Sequence, residues 1–367
     1  MNIMYLCSTL RQCGPTSQLF NIVSNLDKEV FFPTIVTLSP EPNSTLLYRF
    51  QAAGINVISL NLSRFSGFLF AKRIVNDLIR ELDIDVIHSQ GIRADHVADA
   101  VIKKNNDIKW VATLRNIPYL DYPKKRGRLI GGWMAFRHIS ILRECENLVV
   151  VSKAIKSELQ GYFHKSILAI PNGVDTNHYS EKKTDINVID LPFSSTDTIL
   201  VYSGVLEERK NVNWMLDLLA ESQGLKLLIV GDGSKRLEIE RHPAVVTGKA
   251  YLVGSVSDVR PYLVASDAFI LLSTAEGLPN SALESLSMGL PLILSDIGPH
   301  RDIQNECKDV VHIVDIDDYQ SALGFFQSEL NPWLSKITRK QCIDAAFACF
   351  SASQNSLLYQ DVYRKCS

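Results

Sequence analysis

The chain has 367 residues, 46% of them hydrophobic and 21% charged, which describes a folded globular protein too long for one ordinary core and excludes a disordered or fibrous chain. The formal net charge of −2 hides an asymmetry: residues 1–185 hold 23 Lys and Arg against 17 Asp and Glu, and residues 186–367 hold 15 against 23. A basic first half beside an acidic second half confines any anionic partner to the first, and a pI near 6.5 with no recognised module argues against nucleic acid.

Seven cysteines, odd in number and without zinc-like spacing, fit buried thiols in a reducing compartment. The chain begins with a strand-like Ile3 to Leu6 rather than the basic segment and apolar core of a signal peptide, and no apolar run is long enough to cross a bilayer. The expected location is the cytoplasm, with contact to the inner face of the cytoplasmic membrane left open.

Short apolar runs alternate with amphipathic stretches throughout, which predicts parallel sheets covered on both faces. After the first strand, Gly14 and Pro15 stand at a strand-to-helix turn ahead of a helix near Thr16 to Asn25. A backbone can approach a ligand there without a side chain intervening, although a plain turn explains the pair equally well. Val57 to Leu60 predicts a strand and Gly67 to Leu82 a helix. The stretch Arg64-Phe-Ser-Gly-Phe-Leu-Phe-Ala-Lys-Arg mixes aromatics with cations, as an interfacial segment does, but a core-facing amphipathic helix is the commoner outcome.

His88, in Val86-Ile-His-Ser-Gln-Gly, reads most simply as a structural histidine. A strand ends near Leu114, which puts Arg115 and Asn116 at its carboxyl edge. The guanidinium there either grips an acceptor phosphate or carboxylate through paired hydrogen bonds or closes a structural ion pair. Lys124-Lys-Arg-Gly-Arg sets four cations in five positions ahead of Leu129, Ile130, Trp133 and Phe136. Anionic lipid or a lipid-linked diphosphate suits that tract, and so does a solvated loop leading into a buried helix. Leu148 to Ser152 and Leu168 to Ile170 predict two more strands, and the polar stretch Thr176 to Thr196 a linker.

Beyond it, Ile199-Leu-Val-Tyr-Ser-Gly is a strand reaching Gly204, followed by Val205-Leu-Glu-Glu-Arg-Lys-Asn with Arg209 and Lys210. Leu227-Leu-Ile-Val-Gly-Asp-Gly-Ser is a buried strand and glycine turn short of a full dinucleotide fingerprint. Tyr251-Leu-Val-Gly reaches Gly254. The apolar run Ala268 to Leu272 predicts a buried parallel strand, with Asn280 capping a helix from Ser281 to Met288 and Gly289 suited to the left-handed position past its end. Glu276 then lies on a loop at a strand's carboxyl end, where open α/β sheets bind ligands, and Glu284 one turn inside the helix. The amides of Leu278, Asn280 and Ser281 between them suit a phosphate.

Glu276-Gly-Leu-Pro-Asn with a second Glu eight positions later closely resembles the donor-binding signature of the retaining, GT-B-fold glycosyltransferases (glycosyl transferases group 1, family 4). The resemblance runs along nearly the whole chain. It implies an α/β fold of two doubly wound Rossmann-like domains facing a cleft: residues 1–185 for the acceptor, 186–350 for the nucleotide-sugar donor, and a helix 351–367 packing back on the first. Glu276 then binds the donor sugar and Glu284 the ribose hydroxyls, with Leu278, Pro279 and Asn280 between them. Lys210 flanks the leaving diphosphate, Val205 replaces the usual Arg there, and Arg209 stands close enough to compensate. Gly14 and Gly204 lie against the donor, Gly254 beside the base, and Arg115 and Asn116 on the acceptor side.

The implied reaction transfers a sugar, with retention, from a nucleoside-diphosphate donor of the UDP-sugar kind. The acceptor is a saccharide, lipid-linked, in assembly of a bacterial surface polysaccharide such as O-antigen or capsule. No cofactor and no metal is expected: the acids Asp315, Asp317 and Asp318 look like a helix start rather than an Asp-x-Asp metal clamp, which leaves Lys210 and helix amides to neutralise the diphosphate. A nucleotide-sugar epimerase of the same architecture, or a non-catalytic sugar-nucleotide sensor, is the alternative. A dinucleotide-dependent oxidoreductase fits less well because the glycine fingerprint is incomplete.

Overall fold

The computed structural model describes residues 1–105, 107–180, 191–194 and 196–366. They divide into two compact units, Met1–Gly173 with Ala352–Ser367, and Val174–Ser351. The boundary expected between residues 185 and 186, and much of the linker expected from Thr176 to Thr196, lie outside the described residues.

Among the described residues the first unit holds seven strands: β1 (Asn2–Cys7), β2 (Phe32–Thr37), β3 (Asn56–Ser59), β4 (Val86–Gln90), β5 (Lys109–Leu114), β6 (Asn147–Val150) and β7 (Leu168–Ala169). All pair parallel, in the order β3-β2-β1-β4-β5-β6-β7. The second unit holds β8 (Thr198–Ser203), β9 (Leu225–Val230), β10 (Ala250–Gly254), β11 (Ala268–Leu271), β12 (Leu292–Ser295) and β13 (Val311–Val314), also parallel, in the order β10-β9-β8-β11-β12-β13. Both are doubly wound α/β sheets, the predicted fold class. Strands covered on both faces must be apolar throughout, and Ile3, Met4, Tyr5 and Leu6 are all 1% exposed or less.

The strand orders fix where a ligand can sit. Each chain path turns back beside its starting strand, between β1 and β4 in the first unit and between β8 and β11 in the second. At such a reversal the loops diverge and leave a crevice at the carboxyl ends of the strands.

Two local expectations are corrected. The helix Asn280–Ser287 starts one residue early, with Pro279 in extended backbone at the N-cap and no capping side chain, so Asn280 sits in the first turn instead of capping it. Proline's fixed φ and missing N–H suit a helix entrance. Gly14 likewise begins the helix Gly14–Ser24, whose N-cap is Cys13. The second correction concerns Arg64–Glu81. Its buried stripe is Gly67, Ala71, Val75 and Ile79, four apart, while Phe65, Phe68, Leu69 and Phe70 are 76%, 78%, 51% and 52% exposed. The aromatics do not face the core, because small residues occupy the stripe that does.

The helix Ala352–Arg364 completes the first unit by packing on Gly14–Ser24, with Ser356 donating to the Ile22 carbonyl at 2.8 Å. Its Tyr359 and Tyr363 enter a polar ladder inside the core. The Tyr5 hydroxyl donates to that of Tyr363 (2.9 Å), and Tyr363 meets His88 Nδ1 (2.7 Å). His88 Nε2 meets the Thr113 hydroxyl (2.8 Å), which meets Tyr359 (3.0 Å). Burial, and then the nearby Arg115, lower His88 to about 3, so it is neutral. A neutral ring that accepts from Tyr363 at Nδ1 must donate from Nε2, which orders the ladder from Tyr5 to Tyr359. Inside a core each member is costly to leave unpaired.

Tyr363→Phe keeps the ring and deletes the shared hydroxyl. Urea unfolding should show a loss of about 1–3 kcal/mol, and Tyr363→Ala, which also opens a cavity, about 3–5 kcal/mol.

Candidate functional site

In the second unit the reversal between β8 and β11 brings the candidate residues together. β8 runs into Gly204, and a short turn Glu208–Lys210 delivers Arg209 and Lys210. β11 ends at Leu271 and the loop after it carries Glu276. The loops are laced by backbone, Thr274 N–H donating to the Arg209 carbonyl at 2.8 Å. Neighbouring strand ends come unusually close: a Cβ on Gly231 would stand 1.9 Å from the Gly204 carbonyl oxygen, so no side chain fits there. Gly254 ends β10 and accepts from Gly231 N–H at 2.8 Å.

Glu276 is gripped by both cations. Its Oε1 lies 2.6 Å from Lys210 Nζ and its Oε2 3.0 Å from Arg209 Nη1, with Glu276 and Lys210 side chains only 8% and 9% exposed. Burial would raise a carboxyl, but Lys210 and then Arg209 outweigh it and hold Glu276 below the ordinary range. Glu276 is therefore an acceptor only, with lone pairs for hydroxyl groups. Arg209 also pairs with Glu207 (2.6 Å) and donates to the Ala275 carbonyl (3.0 Å). It points at Glu276, and the Val205 side chain is exposed.

Glu284 lies on the helix Asn280–Ser287, below Leu278 and Pro279, both buried. Among the described residues no cation meets it: burial raises its carboxyl to about 7, against a hydrogen bond from Tyr179 that lowers it. Two carboxylates on one loop and helix are thus held apart in charge, one fixed as an anion, the other poised to gain or lose a proton near neutrality.

Two residues beside these were not anticipated. Tyr179 reaches Glu284 from over a hundred positions earlier, and its carbonyl accepts from the Ser287 hydroxyl at 2.8 Å. His300, fully buried on the helix Gly298–Glu306, contacts Ser295 through Nδ1 at 3.0 Å, and its Nε2 has no hydrogen-bond partner among the described residues. Burial lowers it to about 4, against the pull of Glu276. Its only signal in the sequence is its place just after β12.

In the first unit Gly14 is exposed at the end of the loop from β1, on the reversal with β4. Arg115 follows β5. Its Nη1 donates to Asn172 Oδ1 (2.7 Å) and its Nη2 to Gln90 Oε1 (3.4 Å), while its Nε and Gln90 Nε2 are buried with no hydrogen-bond partner among the described residues. No carboxylate pairs with it among the described residues, so the structural ion pair is not what is observed. Burial accordingly pulls its pKa down. Asn116 instead donates to Asp121 Oδ2 at 2.7 Å. Among the described residues no group of three or more His, Cys, Asp or Glu is arranged to hold a metal ion.

The raised Glu284 pKa has a defined sign in stability. The folded state holds that proton more tightly than the unfolded chain, whose carboxyl titrates near 4.5, so the benefit is full below 4.5 and is lost as pH rises to about 7. Glu284→Gln, neutral at every pH, should melt with the wild type near pH 4.5 and above it at pH 8, by an amount of order 3 kcal/mol at most.

The family described as "Glycosyltransferase Family 4" matches residues 14–178 and that described as "Glycosyl transferases group 1" matches residues 197–324, together most of the chain. A curated relative, the O-antigen biosynthesis glycosyltransferase WclY of Escherichia coli, is 26% identical over 81% of this chain and 80% of its own. The Escherichia coli UDP-Gal:alpha-D-GlcNAc-diphosphoundecaprenol alpha-1,3-galactosyltransferase is 30% identical over 43% of this chain and 44% of its own. Among solved structures, Anabaena Alr3699/HepE in complex with UDP superposes with a TM-score of 0.80 over 100% of both chains at 14% identity, a likeness of fold. Two Rossmann-like parallel sheets, the GT-B neighbours and the two family matches agree, and the chain belongs to the glycosyltransferases of group 1 and family 4.

Proposed function

We propose that the chain transfers a sugar from a nucleoside-diphosphate donor to a saccharide acceptor with retention at the anomeric carbon, and that the donor is a UDP-sugar. The observation that carries this reading is the Glu276 carboxylate, held ionised by Lys210 and Arg209 at the reversal of the second sheet. An acceptor for hydroxyls beside two cations is the polarity of a sugar attached to a diphosphate. The relative bound to UDP and the galactosyltransferase named for a UDP-sugar support the choice of nucleotide.

In this reading Glu276 orients the donor sugar, and Lys210 and Arg209 draw away from it toward the diphosphate as negative charge grows there. Glu284 takes the ribose hydroxyls, for which it must be ionised. Gly204, Gly254 and Gly14 admit the donor's backbone-to-ligand approach, and Leu278, Pro279 and Asn280 line the helix entrance against a phosphate. An acceptor hydroxyl attacks the anomeric carbon on the face the diphosphate leaves. The carbon–oxygen bond to phosphate breaks, and the hydroxyl proton passes to the departing phosphate oxygen. Two cations already stand at the site, so the reaction needs no metal. The second unit serves the donor and the first the acceptor, where Arg115, lacking a carboxylate, and Asn116 are placed for an anionic group. The relatives' names support a lipid-linked saccharide of a bacterial surface polysaccharide as that acceptor, used at the cytoplasmic face of the membrane.

The test is transfer from radiolabelled UDP-sugars to lipid-linked and free saccharides, with the product's anomeric configuration read by proton coupling. Glu276→Gln and Lys210→Ala should each lower kcat/KM by about 10²–10³, with far-UV circular dichroism unchanged and activity insensitive to EDTA. Turnover of the donor without acceptor would identify an epimerase instead. Full activity in either variant, or an inverted product, would overturn the assignment.

A further inference from the structure

We propose that the first unit carries a docking face for an anionic lipid bilayer, built from the start of helix Arg64–Glu81 and the outer side of the hairpin Pro118–Arg126 and Arg128–Leu142. This inference stands apart from the reading of Glu276 and would hold for any chemistry in the second unit.

The face is apolar where a helix on water is polar. In Arg128–Leu142 the buried residues are Gly131, Ala135, His138, Ile139, Ile141 and Leu142. Leu129, Ile130, Trp133 and Phe136 recur at helical spacing and are 89%, 63%, 65% and 57% exposed. Single exposed apolar residues are ordinary, but a whole stripe is not. Phe65, Phe68, Leu69 and Phe70 form a second such surface. The helix Ile92–Ile102 packs against both Arg64–Glu81 and Arg128–Leu142, so the two apolar surfaces belong to one layer of helices.

The charges choose the occupant. Lys72, Arg73, Lys124, Lys125, Arg126, Arg128 and Arg137 are exposed around these stripes. From Pro118 to Leu142 there is one acid, Asp121, and its carboxylate is engaged by Asn116. A second copy paired through this same face would set its own cations against them, and a neutral protein partner would cover the apolar stripe but bring nothing for the cations. An anionic bilayer supplies both, acyl chains for the aromatics and phosphates for the Lys and Arg around them. Among the described residues no helix is long and apolar enough to cross a membrane, so the hairpin lies on the surface.

The hairpin is also held rigidly. A Cβ on Gly131 would stand 2.3 Å from the Tyr122 carbonyl oxygen, so the two helices touch through backbone. The Tyr122 hydroxyl meets His138 Nδ1 (2.7 Å), His138 Nε2 meets Asp95 (2.7 Å), Ser89 donates to Asp95 (2.6 Å) and Trp110 to Ser89 (2.8 Å). This buried chain ties both hairpin helices to β4 and β5 through the helix between them. The stripe is presented by a fixed scaffold, which lowers the ordering cost of docking.

The experiment is flotation of the purified full chain with vesicles of phosphatidylcholine, with and without phosphatidylglycerol. Two variants accompany it, Ile130→Ser with Trp133→Ser, and Lys124→Ser with Lys125→Ser and Arg126→Ser. All five positions are exposed, so melting temperatures should be unchanged. Wild-type protein should float with phosphatidylglycerol vesicles and about tenfold less with phosphatidylcholine alone, and each variant should lose about tenfold. High salt should weaken the binding through the cations. Trp133 emission should move to shorter wavelength on binding and be quenched by brominated lipid. Absence of flotation, or retention of binding in both variants, would overturn the proposal. So would a wild-type dimer that the Ile130 and Trp133 variant converts to monomer without lipid binding, since the stripe would then belong to a second copy.

Discussion

A carboxylate shut away from water stays charged only if something nearby repays its lost hydration, and in the second unit that condition organises the surroundings of Glu276. Taking such an ion out of water costs several kcal/mol, more than a single exposed ion pair returns. Lys210 and Arg209 therefore have to arrive together, on one short turn, against both oxygens. Their arrival depends on β8 and β11 being neighbours and on glycine backbones that let the strand ends close up. Glu284 is the control experiment within the same fold. Burial acts on it too, but with a tyrosine hydroxyl in place of a cation its carboxyl rises to about 7. Identical side chains eight positions apart acquire different chemistry from what stands beside them.

Much of this was legible in the residues. Buried parallel strands announce themselves as apolar runs, and Ala268–Leu271 falls within a residue of where the pattern places it. Gly289, past the end of its helix, has the left-handed φ of +85° that its type suits. Glu276, Glu284 and Lys210 were nominated through the resemblance of Glu276-Gly-Leu-Pro-Asn and its second Glu to a known signature, since two Glu eight apart or one Lys before a helix mean little by themselves.

What escaped was what depends on direction or on distant partners. Arg209 was a candidate for the phosphate contact left open by Val205, and only the fold shows it turned to Glu276. Tyr179 and His300 join the site from other elements and carry no local mark. The aromatic segment after Arg64 misled for a different reason. A count of apolar residues cannot tell which stripe is inward, and here Gly67 and Ala71 take the inner positions and leave the phenylalanines outside. Arg115 shows the same limit: its sequence context permits an ion pair, and its neighbours turn out to be two amides.

The helix Ala352–Arg364 belongs to the first unit although the whole of the second is encoded before it. On the ribosome, strands β1 to β7 emerge long before Tyr359 and Tyr363 do, so Tyr5, Phe31 and His88 must wait with one wall of their core missing. The second unit is contiguous and can close as soon as it leaves the exit tunnel. Maturation of the first is thereby postponed until the helix beyond the second unit has been made, and during that interval its sheet lacks the two tyrosines that complete its core.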